Sequence, residues 1–73
     1  MNYGRIVQIS GPVVDVRFEG GRLPKLREAL SVTAEGETRV MEAAQHIGND
    51  TVRCVMLAPS DGLSRGMEGE AAG

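Results

Sequence analysis

The run Arg5-Ile6-Val7-Gln8-Ile9-Ser10-Gly11-Pro12-Val13-Val14-Asp15-Val16-Arg17-Phe18 decides how the chain folds. Val14, Val16 and Phe18 alternate with Val13, Asp15 and Arg17, a period of two that places three apolar side chains on one face of a strand. That face is assigned to the core. Arg5 to Ile9 precedes it, with only Ser10-Gly11-Pro12 between, so the two segments are expected to form an antiparallel hairpin joined by a tight turn.

The same grammar continues outward. Gly20-Gly21, Glu35-Gly36-Glu37, Gly48-Asn49-Asp50 and Asp61-Gly62 are turn signals, in which glycine supplies positive φ and Asn or Asp favours chain reversal. Between them lie short runs rich in β-branched residues, the pattern of a small all-β sandwich or barrel. In Thr51 to Ala58, Val52, Cys54 and Met56 fall on one face and Val55 and Leu57 on the other, so this strand is expected to be covered on both sides. Leu30 and Val32 alternate with Ala29 and Ser31. Leu23-Pro24-Lys25-Leu26 reads as an irregular crossing, because Pro24 lacks a ladder donor. Met41 to Gln45 are helix formers by intrinsic preference, so propensity alone predicts a short helix over Val40 to His46. Met67 to Gly73 has no β-branched residue and is weak as a strand.

At 73 residues the chain is one small domain, and a core below ~70–80 residues rarely supplies more than ~3–5 kcal/mol without disulfides, a metal or neighbouring subunits. Cys54 is the only cysteine and His46 the only histidine, which rules out an intrachain disulfide and falls short of a four-ligand zinc site. Neighbouring subunits are the support that remains. The formal charge of −2 with interspersed signs argues against a nucleic-acid partner. Tyr3 and Phe18 are the only aromatics, too few for a base-stacking platform. No run approaches the length of a membrane span, and Met1-Asn2-Tyr3-Gly4 shows no basic leader or apolar signal region, so a cytoplasmic or plastid-encoded protein is expected.

Candidate chemistry is sparse. A Cys54–His46 dyad would need the two groups in hydrogen-bond reach and an orienting third group. Cys54, flanked by Val52 and Met56, reads instead as a small buried hydrophobe, and His46 as a solvent-facing or capped strand end. Met41, Met56 and Met67 read as gap-filling residues of separate strands rather than a cofactor box. Asp61-Gly62-Leu63-Ser64-Arg65-Gly66 could aim backbone amides at a phosphate, but Asp-Gly turn chemistry is the expected reading. Glu35 and Glu37, flanking a turn, are expected to be solvated, and Asn49-Asp50-Thr51 matches a glycosylation acceptor but reads as a polar turn. Lys25 is the single lysine and lacks the G-x-x-x-x-G-K-[S/T] frame that cradles nucleotide phosphates. No catalytic, cofactor-binding or metal-ligating residue is therefore assigned.

Gly4 to Phe18 resembles the opening of the β subunit of rotary F-type ATP synthases. Leu23-Pro24 with Glu28-Ala29-Leu30-Ser31-Val32, Glu42 with Ala44-Gln45-His46-Ile47-Gly48, Val52-Arg53, and Asp61 to Gly66 follow in that family's order and spacing. The resemblance implies that residues 1–73 are that subunit's N-terminal domain, a six-stranded antiparallel β-barrel, without the nucleotide-binding and C-terminal helical domains. It implies a structural role: a crown formed with the barrels of α subunits, in a holoenzyme that couples proton transport to ATP synthesis. It also makes the stretch around Glu42 to Gln45 a strand. ATP or ADP and Mg would belong to the full-length subunit, not to these residues, and this chain alone would not be an enzyme. Membrane association would be peripheral, on the cytoplasmic face and only through the holoenzyme; in isolation the chain could self-associate. The rival readings are the barrel of a related rotary or export ATPase and a free nucleic-acid-binding barrel. Ala43, Cys54 and Pro59 depart from the family's usual residues, and Gly69 falls where the last strand should run.

Overall fold

Six strands build the computed structural model, which describes residues 2–20, 22–59 and 61–71: β1 (Asn2–Ser10), β2 (Val13–Arg17), β3 (Ala29–Ala34), β4 (Glu37–Gly48), β5 (Thr51–Met56) and β6 (Glu68–Ala71). No helix occurs among the described residues. The strands close into an antiparallel barrel in the order β1-β2-β5-β4-β3-β6, so each buries alternate side chains inside and no sheet edge runs the full height of the wall.

The deciding hairpin forms as its pattern requires. Ser10 faces Val13 across the two-residue turn Gly11-Pro12, where Gly11 has φ 58°. Positive φ at the first central residue, followed by proline, is the type II′ arrangement whose twist matches the flanking strands. Glu35-Gly36 joins β3 to β4 and Asn49-Asp50 joins β4 to β5, and all four residues have positive φ, as a type I′ turn demands. Gly21 lies outside the described residues, as do Ala72 and Gly73 of the last stretch.

Val14, Val16 and Phe18 are fully buried, and Ile6, Leu30, Val32, Met41, Ala43, Val52, Cys54 and Ala71 complete the interior with Met56. Phe18 lies just past the end of β2. It fits because β1 carries glycine opposite it: a Cβ on Gly4 would stand 2.9 Å from Phe18 Cδ2 and 2.7 Å from the Arg17 carbonyl oxygen. Gly4 pairs with Gly69 of β6, so the seam between first and last strands is thin on the inside and the phenyl ring fills the space. The weak local strand preference of 67–71 is thus overridden: β6 pairs with β1 through Asn2–Arg5 and with β3 through Leu30 and Ser31, and the barrel closes.

The helix that propensity predicts over Val40 to His46 does not form. These residues lie inside β4, the longest strand, which pairs with β3 through Glu37–Glu42 and with β5 through Met41–Gly48. Only Met41 and Ala43 of this stretch point inward. Pairing on both sides supplies more than the few tenths of a kcal/mol per residue that separate helix preferences. Two register shifts, at Ala44 and at Ile47, bend β4 around the barrel.

Residues 22–28 cross between β2 and β3 as expected of an irregular segment, and they are pinned. The Asn2 side-chain amide donates to the Arg22 carbonyl, and His46 Nε2 lies 2.7 Å from the Pro24 carbonyl oxygen. Lys25 N donates to Glu28 Oε1, Glu28 N to Lys25 O and Arg27 N to Ala43 O. Arg27 holds φ 76° in this turn.

Candidate functional site

A fork-to-fork ion pair lies on the outer wall. Asp15, on the face opposite the core row, is only 4% exposed, because Arg53 of β5 covers it. The two are direct cross-strand partners, with Arg53 Nε 3.0 Å from Oδ1 and an Nη 3.2 Å from Oδ2. This bidentate geometry satisfies a carboxylate that would otherwise be expensive to cover. The hydrogen bond and then the charge of Asp15 raise the Arg53 pKa further above its ordinary range. The pair links β2 to β5. Sequence alternation placed Asp15 on the correct face. What it could not show is that Arg53 stands in register with it, since that pairing depends on the strand order.

Cys54 and His46 do not meet as a dyad. Cys54 is fully buried inside the barrel, its thiol 3.8 Å from the Val52 carbonyl oxygen. Burial, and secondarily the negative charge of Asp15, push its pKa up to about 12. His46 lies on the exposed half of β4 and holds the 22–28 crossing through Pro24, so the capped strand end expected of it is what the structure shows. A carbonyl only accepts, so Nε2 carries the proton in that contact.

The loop from Asp61 to Gly66 uses its amides locally. Gly66 N donates to the Ile6 carbonyl and Met67 N to the Ser64 carbonyl, which fastens the loop along β1 and withdraws those donors from any anion. Glu35 is more than solvated: a Cβ on Gly62 would stand 2.8 Å from Glu35 Oε1, so this carboxylate rests over the loop. Glu37 lies 3.5 Å from an Arg39 nitrogen. At Asn49-Asp50-Thr51 the turn closes on itself, with Thr51 Oγ1 donating to the Asn49 carbonyl at 3.0 Å. Met41 and Met56 fill the core; Met67, expected in a strand, lies immediately before β6 and packs against the core from there. No grouping of three metal-ligating side chains occurs among the described residues.

The outward face of β5 is apolar, as the alternation in Thr51 to Ala58 requires. Val55 is 39% exposed and Leu57, just past the strand end, 67% exposed; none of the described residues covers them fully. Val40 of β4 is 39% exposed beside them, and Leu57 N donates to its carbonyl. Val13 stands across from Val55. One end of the β2–β5–β4 wall therefore carries Val13, Val55, Leu57 and Val40, with Glu42 directly across from Val55, while further along the same strands Asp15, Arg53 and Gln45 form a polar row.

The fold and these surfaces define a class: a small closed antiparallel barrel whose outer wall offers an apolar face. Residues 6–71 match the β-barrel domain of the ATP synthase alpha/beta family. The chain belongs to that family.

Proposed function

We propose that this barrel is the N-terminal assembly domain of an F-type ATP synthase β subunit, and that it forms a crown with the barrels of α subunits. The holoenzyme would couple proton transport to ATP synthesis at a membrane it touches only peripherally, from the cytoplasmic side. Family membership supports a structural role in a rotary ATPase. The β-type runs Ile6 to Phe18 and Asp61 to Gly66 favour the β subunit. The observation that carries the assembly role is the uncovered row Val40, Val55 and Leu57 on β4–β5, since adjoining exposed apolar side chains mark interaction surfaces.

A thermal melt of the domain alone and with excess α barrel tests this. A partner that binds only the folded form adds RT ln(1 + [L]/Kd), about 2.7 kcal/mol at 100 times Kd. For a domain of this size that raises Tm by ~10 °C or more. Leu57→Lys is expected to remove most of the gain while leaving the domain's own Tm within a few degrees, because Leu57 lies outside the core. An unchanged Tm on adding the partner, with a monomeric profile throughout, overturns the reading.

A further inference from the structure

Two guanidinium groups oppose each other on the outer wall. Arg5 of β1 and Arg17 of β2 are direct cross-strand partners, and like charges so placed repel. They line a groove of about 480 Å³ with Tyr3, Val7, Glu19 and Glu68. Arg5 has an acceptor, its Nη1 standing 3.0 Å from the Gly66 carbonyl oxygen. Among the described residues Arg17 has none: Glu19 stands at 3.8 Å, beyond hydrogen-bond distance, and the Arg17 Nε is buried with no partner. Arg53, with both donors on Asp15, shows how a satisfied guanidinium sits in this same wall. Arg5 has Glu68 directly across on its other side, so what a carboxylate in the groove would add is the acceptor that Arg17 lacks.

We propose that the groove is a docking site for an Asp or Glu side chain carried by an extended segment of a partner polypeptide. Arg17 forks the carboxylate, Arg5 adds the second positive charge, and Tyr3 and Val7 pack against the flanking residues. The Arg17 side chain is 40% exposed, so a small rotation brings its Nε to the groove. Glu68 is the direct cross-strand partner of Arg5 on its other side and Glu19 stands 3.8 Å from Arg17. The groove therefore offers one carboxylate an acceptor position at Arg17, whereas a phosphate dianion would set a second negative charge beside Glu19 and Glu68. Tyr3 and Val7 are exposed at 47% and 38%, and a polypeptide can use that surface where an inorganic ion cannot. In the barrel order, β6 and β1 stand across from β5 and β4. The groove, over β6, β1 and β2, and the apolar row, over β5 and β4, thus occupy different sides that meet at β2, giving the barrel two unlike docking surfaces. Only the identity of the partner rests on the assembly reading; the chemistry of the groove does not.

The test titrates the isotopically labelled chain with acetyl-Ala-Val-Glu-Val-Ala-amide, its Glu→Gln analogue and inorganic phosphate, reading the arginine Nε–Hε and the Tyr3 and Val7 amide resonances. The Glu peptide is expected to move these saturably, with the Gln analogue about tenfold weaker. Arg17→Lys keeps the charge but loses the fork, and is expected to weaken the Glu peptide about tenfold with core methyl resonances unchanged. Should that variant lose its fold, Arg5→Gln must weaken the Glu peptide instead. Equal binding of the two peptides, full strength in a folded Arg17→Lys, or phosphate moving the same resonances as strongly as the Glu peptide overturns the proposal. None of the probes contains any part of an α barrel, so this result and the melt can fail separately.

Discussion

The Cys54 thiol is held neutral by its surroundings, and that has a direction in pH. Its folded pKa of about 12 lies above the ordinary value of 9.0, so folding favours the protonated form. The contribution is fully present below pH 9 and is lost as pH rises from 9 towards 12, where the unfolded chain has released a proton that the barrel retains. Urea midpoints are therefore expected to fall over that window, and Cys54→Ala to flatten the fall. A thiol reagent at pH 8 should label Cys54 only at the rate at which the barrel opens. Val16 and Arg17 make a sharper contrast. Val16 is fully buried and Val16→Asp leaves an unpaired charge inside, a cost of about 3–5 kcal/mol that matches the whole margin of a domain this size. Arg17→Asp places a carboxylate opposite Arg5 on the outer wall, and is expected to be neutral or mildly stabilising. Circular dichroism melts of the two variants check this; equal folding would mean the facing is wrong. Residue facing was legible because Val14, Val16 and Phe18 obey a strict period. The cover over Asp15 was not, because Arg53 is 38 residues away along the chain.

At the scale of elements, the strands hardest to read are those whose formation depends on their neighbours. β4 has a helical composition from Met41 to Gln45 and becomes a strand because β3 and β5 flank it. β6 has glycine in its middle and two short pairings. Glycine means different things on the two sides of the seam. An added Cβ at Gly4 meets the Arg17 carbonyl at 2.7 Å and Val16 Cγ1 at 2.8 Å, whereas at Gly69 its nearest neighbour is Val32 Cγ2 at 3.6 Å, an ordinary contact. Gly4→Ala is expected to cost ~1–3 kcal/mol through overpacking. Gly69→Ala should gain roughly 0.5–1 kcal/mol by restricting the unfolded chain. Denaturant midpoints of the two variants decide it: loss of stability in both would mean that β6 sits closer to the core than described. A glycine at either position looks identical in the sequence, and only the approach of Val16, Arg17 and Phe18 to Gly4 separates them.

Across the whole molecule, the fold class was readable because turn residues recur at short intervals, and the family because its segments recur in order. Val55 and Leu57 were legible as the face of β5 turned away from the core, but a strand apolar on both faces does not say whether its own chain or another covers the outer one. The lack of a phosphate-binding frame around Lys25, and the engagement of the Gly66 and Met67 amides, lead to the expectation that calorimetric titration of the chain with Mg-ATP gives no binding in the micromolar range. Measurable binding there would require a nucleotide site that the barrel's chemistry does not suggest.

Asn2 lies beside Ala71, so the first strand made waits for the last. On the ribosome, β1 and β2 can hairpin early, and so can β3 and β4, but the ring stays an open sheet until Ala71 has cleared the exit tunnel. During that interval β1 and β3 each present a raw edge, and apolar side chains that will later be interior face water. The length of that interval is set by the rate of translation rather than by folding. Slowing synthesis downstream of β5 should therefore lengthen the time for which the nascent chain occupies chaperones, in proportion to the delay.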